Sequence, residues 1–437
     1  MSLSDSLVVE PFAGPVDAVV RPPGSKSLTN RALVTAALAD GRSVLDGTLR
    51  ADDTDAMVRC LRVLGAGVVE ADDGRRLTVD GVDGCPPVEG ALLDARLSGT
   101  TSRFVAPMAC LADATVVLDG GEPLRRRPMA DLLAALETLG ATVEPLGDPG
   151  CLPVQLSSRG LGGGAVAVSG DVSSQFLSGL MLSGPCMRKG LAVELTTDLV
   201  SRPYVEMTAA VMRSFGATVE VGERSVTVDP GGYRPVERYV VEPDASAASY
   251  WFALAAVTGG RVRVEGLGSG STQGDLRFAD LLAQMGAAVE ITRTHTEVRG
   301  TGVLRGIDVD MSDCSDTAQS LAAVAPYAEG PTSVRGIGFI RGKETDRVAA
   351  VVTELQRLGI VATEDRDGFT VQPGRPRGGT VATYDDHRMA MSFAVLAAGA
   401  DPADPVQIAD PGCVAKTYPS FWEDLAQVRS TVISADA

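Results

Sequence analysis

A phrase made of a bulky apolar residue, Gly and one or two further residues before Val returns along this chain: Leu64-Gly-Ala-Gly-Val, Leu139-Gly-Ala-Thr-Val, Phe215-Gly-Ala-Thr-Val, Met285-Gly-Ala-Ala-Val and Leu358-Gly-Ile-Val. Its Gly stands at 65, 140, 216, 286 and 359, at intervals of 75, 76, 70 and 73. Each phrase closes an amphipathic run, such as Leu132, Leu133, Leu136 and Leu139. The Gly therefore reads as the left-handed residue that stops a helix. The residues after each phrase alternate as a hairpin does, for instance Thr218-Val-Glu-Val and Ser225-Val-Thr-Val around Gly222.

A second phrase precedes the first in every unit: a small or acidic polar opening, a helix rich in Ala and Leu, then a strand ending near Gly. The openings stand at Ser25, Ser98, Asp171, Asp244, Asp316 and Asp386, spaced by 73, 73, 73, 72 and 70. Ser43-Val-Leu-Asp-Gly, Thr115-Val-Val-Leu-Asp-Gly and Arg261-Val-Arg-Val-Glu-Gly are the strands after three of them. Two phrases keeping one period make the repeat real.

Each repeat reads as βαβαββ, an α/β unit, and there are six. The sixth stops after its second helix near Gln427, so its missing strands are expected from the N-terminal segment Leu7 to Val20. The chain then starts in the domain in which it ends. Crossings fall at Pro22-Pro23-Gly24 and Val241-Glu242-Pro243, residues suited to extended linkers. The expected first domain is residues 25–240, and the second is 1–24 plus 241–437. Three repeats closed around a pseudo-three-fold axis in each of two similar domains would gather the openings of the first helices at one end. The expected ligand cleft between the domains is lined by helix N-termini, an arrangement that suits anions.

Function is narrowed by charge. The formal net charge of −17 would repel a nucleic-acid backbone or an anionic membrane, so an anionic ligand needs Arg and Lys concentrated locally. No apolar run approaches the roughly 20 residues of a membrane span, and no basic start leads into an apolar stretch, which makes a cytoplasmic protein the expectation. Seven Cys without a C-x-x-C pair argue against a disulfide framework and a zinc site, and are expected as reduced, mostly buried thiols.

The openings concentrate the chemistry. Pro23-Gly-Ser-Lys-Ser-Leu-Thr-Asn-Arg puts Lys26, Ser27 and Arg31 at a helix start, and Ser98-Gly-Thr-Thr-Ser-Arg adds Gly99 and Arg103. Val172-Ser-Ser-Gln gives Ser173, Ser174 and Gln175; later openings give Asp244, Ser246, Asp316, His387 and Arg388. The second helices add Arg127, Ser201-Arg-Pro-Tyr204 and Lys343-Glu-Thr-Asp-Arg347, and the last strand leads to Lys416. Asp244 and Ser246 read first as caps. Lys343 to Arg347 could equally be a solvated turn, and a lone His such as His387 is more often structural. Charged residues at equivalent places in different repeats, where nothing in the fold demands them, favour a ligand site.

These motifs, with Val172-Ser-Ser-Gln-Phe, Arg341-Gly-Lys-Glu-Thr-Asp-Arg, Asp385-Asp-His-Arg-Met-Ala-Met and Ala415-Lys-Thr-Tyr-Pro, closely resemble those of the EPSP synthases, the 3-phosphoshikimate 1-carboxyvinyltransferases, in the family's order over nearly the whole chain. The resemblance implies the enolpyruvyl transferase-like fold of two domains, each of three βαβαββ units. It implies transfer of the enolpyruvyl group of phosphoenolpyruvate to the 5-hydroxyl of shikimate 3-phosphate with release of phosphate. It also implies no metal or organic cofactor, small-molecule substrates as the only partners, and a monomer. The family is the target of glyphosate, which takes the phosphoenolpyruvate site.

Residue by residue, the resemblance implies a phosphoenolpyruvate site of Lys26, Gly99, Arg127, Gln175, Arg347, Arg388 and Lys416. For shikimate 3-phosphate it implies Lys26, Ser27, Arg31, Ser173, Ser174, Gln175, Ser201, Tyr204, Asp316 and Lys343. Asp316 is the implied base at the hydroxyl, Glu344 the group handling the C3 proton, and Lys26 the assistant to the departing phosphate. Two positions depart from the pattern: Leu97 stands where many members have an amide, and Phe339 where some have Asn. A sister family acts on a UDP-amino sugar and carries a reactive Cys in the second repeat, where Asp119 to Met129 holds none. A non-catalytic anion-binding or RNA-end-processing relative of similar repeats is disfavoured by the net charge.

Overall fold

The computed structural model describes residues 5–433. The five phrase glycines all lie at positive φ, from 79° at Gly359 to 111° at Gly140, each just past the end of a helix. Each releases the chain into the edge strand of a small four-stranded sheet. In the second repeat, for example, Gly90–Asp94 runs parallel to Asp113–Asp119. Asp113–Asp119 pairs antiparallel with Val154–Arg159, whose other neighbour is the edge strand Thr142–Pro145. Five sheets among the described residues repeat this order, and a sixth has three strands.

The N-terminal segment serves two repeats. Ser6–Val9 pairs antiparallel with Val406–Ala409 in the three-stranded sheet, while Asp17–Val20 runs parallel to Arg261–Glu265 in the sheet of the fourth repeat. Only one of the strands missing from the sixth repeat is therefore made good, and its sheet has no second hairpin strand among the described residues. Contacts divide the chain into two units, one of Gly24–Glu242 and one formed by the chain up to Pro23 and from Pro243 onward. Backbone bonds of 2.9 Å fasten each crossing within its own unit: Ser25 N–H donates to the Glu242 carbonyl, and Asp244 N–H to that of Pro23.

The opening helices form the centre of each unit. Lys26–Leu38, Gly99–Ala109 and Ser174–Ser183 pack on one another in the contiguous unit, as do Ala245–Thr258, Ala318–Val324 and His387–Ala398 in the other. Their composition explains the position. They are mostly apolar or small on all sides, so Leu28 through Leu38, Asn30 and Arg31 included, and Ala245 through Ala256 are buried without a break. Close approach demands Gly179, where a Cβ would stand 2.2 Å from the Arg103 carbonyl oxygen. The second helices, such as Arg202–Ser214 and Arg347–Arg357, bury one stripe and solvate the other.

In the discontinuous unit Tyr250 and Trp251 meet Tyr418, Phe421 and Trp422 in a cluster, mostly edge-on, with ring centroids 5.0–6.2 Å apart. The cluster seats the segment that carries Lys416 on the Ala245–Thr258 helix. Among the described residues no helix is long and apolar enough to cross a membrane.

Several openings differ from the sequence expectation. Ser246 is no cap: its hydroxyl bonds the Asp275 carboxylate, and Asp244 alone caps, accepting from Ala247 N–H at 2.9 Å. The third opening is capped by Ser173, not Asp171, whose carboxylate is taken by Ser169 at 2.6 Å. Of the seven Cys, all free, only Cys60, Cys110 and Cys314 are buried, and Cys85 is exposed.

Candidate functional site

In the contiguous unit, Lys26 is the first residue of its helix, behind the cap Ser25. Its Nζ lies 3.3 Å from Asp53 Oδ2, a carboxylate buried at the start of the Asp52–Val63 helix. The Asp53 carbonyl accepts from Thr101 Oγ1 at 3.2 Å, which ties this pair to the second opening. There Ser98 caps the Gly99–Ala109 helix, and the guanidinium groups of Arg103 and Arg127 lie over its first residue. A Cβ on Gly99 would fall 2.5 Å from Arg103 Nη1 and 2.8 Å from Arg127 Nη1. Arg103 Nη1 also donates to Gln175 Oε1 at 2.8 Å, and Gln175 Nε2 to Thr100 Oγ1 at 3.3 Å, so the second and third openings are joined. Ser173 caps the helix that Ser174 begins.

Arg31 is buried, with its guanidinium 5.2 Å from the Phe104 ring centroid and 5.9 Å from that of Tyr204. Its Nε donates to Thr208 Oγ1 at 2.7 Å, Nη1 to the Ser27 carbonyl at 2.9 Å, and Nη2 to Ser178 Oγ and the Tyr204 carbonyl at 3.2 Å each. Burial lowers its pKa to about 10. Most of its donors are taken up within the protein, so much of what Arg31 does is hold the Ser27 and Tyr204 backbones together. Ser201, at φ 55°, begins the helix on which Tyr204 sits.

Lys26, Arg31, Arg103 and Arg127 thus gather around three helix N-termini, with the Asp53 carboxylate beside Lys26. First-turn N–H groups and the positive helix ends add to the same field. In a chain of net charge −17 this is the local concentration of positive charge that an anionic ligand requires.

The discontinuous unit holds a different cluster, in which charges balance. Arg347, the first residue of its helix, is buried and forms three ion pairs: Nε with Asp386 Oδ2 at 2.7 Å, Nη2 with Glu344 Oε2 at 2.7 Å, and Nη1 with Asp316 Oδ1 at 3.2 Å. Asp316 Oδ2 accepts from Arg388 Nη2 at 2.6 Å, and Glu344 Oε1 from Lys416 Nζ at 3.0 Å. Burial alone would lower the Arg347 pKa, but Asp386, Glu344 and Asp316 together raise it above the ordinary range. Of the two readings of Lys343–Arg347, the solvated turn does not fit Arg347, which is buried among three carboxylates.

Local structure places these groups. Asp386 caps the His387–Ala398 helix, accepting from Arg388 N–H at 2.9 Å, and so fixes Arg388. Asp346 caps the Arg347–Arg357 helix and leaves Lys343 and Glu344 in the irregular segment before it. Glu344 opens no helix, then, and Asp316 lies in the 3₁₀ turn Ser315–Thr317 ahead of Ala318–Val324. Lys416 ends the turn Pro411–Lys416.

Of the residues implied by the resemblance, Lys26, Gly99, Arg127, Gln175, Ser173, Ser174, Ser201, Tyr204, Ser27 and Arg31 lie at the openings or second helices of one unit. Asp316, Lys343, Glu344, Arg347, Arg388 and Lys416 lie at those of the other. Three residues that belong to these clusters were not among them. Arg103 and Asp386 carry the same signal, a charge within the first turn or so of a helix at a repeat opening, whereas Asp53 enters only through its pairing with Lys26. Leu97 packs against Gly121, and Phe339 packs on the hydrophobic core of its unit; neither contributes a polar group.

The profile of the family EPSP synthase (3-phosphoshikimate 1-carboxyvinyltransferase) matches residues 12–425. The chain is 42% identical over 425 residues to the 3-phosphoshikimate 1-carboxyvinyltransferase of Nostoc punctiforme, covering 97% of this chain and 99% of that one. It is 41% identical to the chloroplastic enzyme 1 of the same name from Nicotiana tabacum, covering 97% of this chain and 85% of the relative. Among solved structures, the EPSP synthase of Acinetobacter baumannii superposes with a TM-score of 0.81 at 26% identity, covering 96% of this chain and 97% of that one. The enolpyruvyl transferase NikO of Streptomyces tendae shares the fold at 20% identity and a TM-score of 0.77, with 97% of each chain covered. With its repeats, its balanced ion-pair cluster and its arginine-rich openings, the chain belongs to the EPSP synthase (3-phosphoshikimate 1-carboxyvinyltransferase) family.

Proposed function

We propose that the protein transfers the enolpyruvyl group of phosphoenolpyruvate to the 5-hydroxyl of shikimate 3-phosphate and releases phosphate. The observation that carries this reading is the cluster in which Asp316 and Glu344 each bridge two cations. The substrates bring two phosphates and two carboxylates. Arg127, Gln175, Arg347, Arg388, Lys416, Lys26 and the Gly99 backbone take phosphoenolpyruvate. Ser27, Arg31, Ser173, Ser174, Gln175, Ser201, Tyr204, Lys343 and Lys26 take shikimate 3-phosphate.

In this reading Asp316 and Glu344 hold the places of the substrate anions. When phosphoenolpyruvate engages Arg347, Arg388 and Lys416, the carboxylates lose part of their cationic company and their affinity for protons rises. Asp316 takes the proton of the 5-hydroxyl as its oxygen attacks C2, and Glu344 delivers a proton to C3. The tetrahedral adduct then collapses: the bond from C2 to the phosphate oxygen breaks, C3 gives a proton back, and Lys26 stabilises the departing phosphate. Catalysis needs a positioned acid, a positioned base and fixed cations, which this chain's own side chains supply.

The test is phosphate release from the purified protein with shikimate 3-phosphate plus phosphoenolpyruvate, with UDP-N-acetylglucosamine as the alternative acceptor. With phosphoenolpyruvate present, release is expected with shikimate 3-phosphate as acceptor and not with the UDP-sugar; release only with the UDP-sugar would reject the reading. A cytoplasmic monomer needing no nucleic acid or metal belongs to the same proposal. Turnover unchanged by chelator and a single species of about 45 kDa in solution are its checks.

A further inference from the structure

Behind the ion-pair cluster, the chain takes a turn that an unaided sequence would avoid. Tyr384 and Asp385, two consecutive residues with side chains, both sit at φ 56°, in the left-handed region. Their turn leads straight into Asp386, whose N–H donates to the Thr383 carbonyl at 2.9 Å. Asp386 then pairs with Arg347 and caps the helix that begins His387-Arg388. Any relaxation of the turn moves the cap, and with it Arg388.

The turn is held from the side by Glu354. This carboxylate is fully buried, two turns along the Arg347–Arg357 helix from Arg347. Its Oε1 accepts from the Tyr384 hydroxyl at 2.6 Å, and its Oε2 accepts from Ala382 N–H at 3.1 Å. Arg357 Nε, on the same helix and half exposed, lies 3.1 Å from Oε2 and covers the charge from solvent. One helix therefore grips the turn at two points: Arg347 takes Asp386 at its far end, and Glu354 takes Ala382 and Tyr384 at its near end. Backbone conformations of this kind persist where surrounding contacts over-determine them. Tyr384 and Asp385 are exposed, between the buried Thr383 and Asp386.

We infer that Glu354 and Tyr384 are positioning residues for the reaction: their hydrogen bond fixes the Thr383–Asp386 turn, and through it Asp386 sets Arg347 and Arg388 where phosphoenolpyruvate is received. This rests on the proposed function for its substrate. Neither residue touches substrate; both act through Asp386.

The experiment compares the wild type with Tyr384→Phe and with Tyr384→Phe/Asp385→Gly. Loss of a hydrogen bond to a charged acceptor should raise the KM for phosphoenolpyruvate about tenfold, with the KM for shikimate 3-phosphate and the melting temperature little changed. Gly accepts a left-handed conformation freely, so the double variant should recover most of the loss. An unchanged KM for phosphoenolpyruvate would overturn the inference. So would an equal rise in both KM values with a lower melting temperature, which a merely structural role predicts, or a double variant no better than the single one. Hydrogen exchange over Ala382–Arg388 reads the same turn without any substrate. Faster exchange there in Tyr384→Phe, reversed in the double variant, is expected even if the wild type proves inactive in the transferase assay; unchanged exchange sinks the clamp on its own.

Discussion

Glu344 and Lys416 meet at 3.0 Å although 72 residues separate them, one repeat of the chain. Both stand just ahead of the second helix of their repeats, so the pairing is one position of the fold meeting its own counterpart in the next unit. The carboxylate is shared with Arg347, which places it between two cations that are themselves expected to hold phosphoenolpyruvate.

Removing either of the two carboxylates assigned to proton transfer, Asp316 or Glu344, should therefore stop the chemistry more than it disturbs the fold. Asp316→Ala and Glu344→Gln are each expected to lower turnover by roughly 10² or more, the usual scale for a positioned proton-transfer group. Steady-state rates on variants with wild-type circular dichroism check this, and near wild-type turnover in either would remove that residue from the mechanism.

Gly99 offers a sharper test of the anion site. A methyl group there must push aside the guanidinium of Arg103 or Arg127, because its position is 2.5 Å and 2.8 Å from their Nη1 atoms. Gly99→Ala should raise the KM for phosphoenolpyruvate and weaken inhibition by glyphosate strongly, while the KM for shikimate 3-phosphate changes little. A Gly needed only for the turn would instead lower the melting temperature and disturb both substrates alike. Inhibition and melting curves on the purified pair of proteins separate the outcomes.

The Arg347 pairs predict a stability effect. Asp386→Ala leaves a buried guanidinium with one partner fewer and a helix without its cap, so a loss of about 3–5 kcal/mol is expected. Urea denaturation measures it. A loss below about 1 kcal/mol, the scale of an exposed ion pair, would mean that Glu344 and Asp316 suffice.

A pH dependence arises from Glu297, buried beneath Arg261, Arg263 and Arg299 at 3.0, 2.8 and 2.6 Å. Burial would raise its pKa, but the three guanidinium groups bring it down to about 2. A depressed folded-state pKa means stability that is fully present above the ordinary Glu value and is lost as pH falls towards 2. The difference in denaturation midpoint between wild type and Glu297→Gln should be constant near neutrality and shrink below about pH 4.3. A difference independent of pH would show that the charge contributes nothing.

How far all this could be read beforehand depended on range along the chain. Gly65, Gly140, Gly216, Gly286 and Gly359 were legible because a helix stop is a local event, decided by one residue's freedom at positive φ. Lys26 and Arg388 were legible because charge at a repeat opening is conspicuous where five other openings provide the comparison. Asp53, by contrast, becomes part of the site only through Lys26, and Ser246 fails to cap only because Asp275, 29 residues on, takes its hydroxyl. The strand Asp17–Val20 was expected in the sixth repeat and joins the fourth, since strand alternation fixes a face but names no partner.

The pairing of Ser6–Val9 with Val406–Ala409 gives the two units unequal histories during synthesis. Everything between Gly24 and Glu242 is contiguous, so that unit can close while the ribosome is still making the rest. The strand Ser6–Val9 must wait, unpaired, until Val406–Ala409 has been made. Until then it carries an open edge, and Glu10 and Pro11 behind it are the kind of residues that keep such an edge from finding the wrong neighbour.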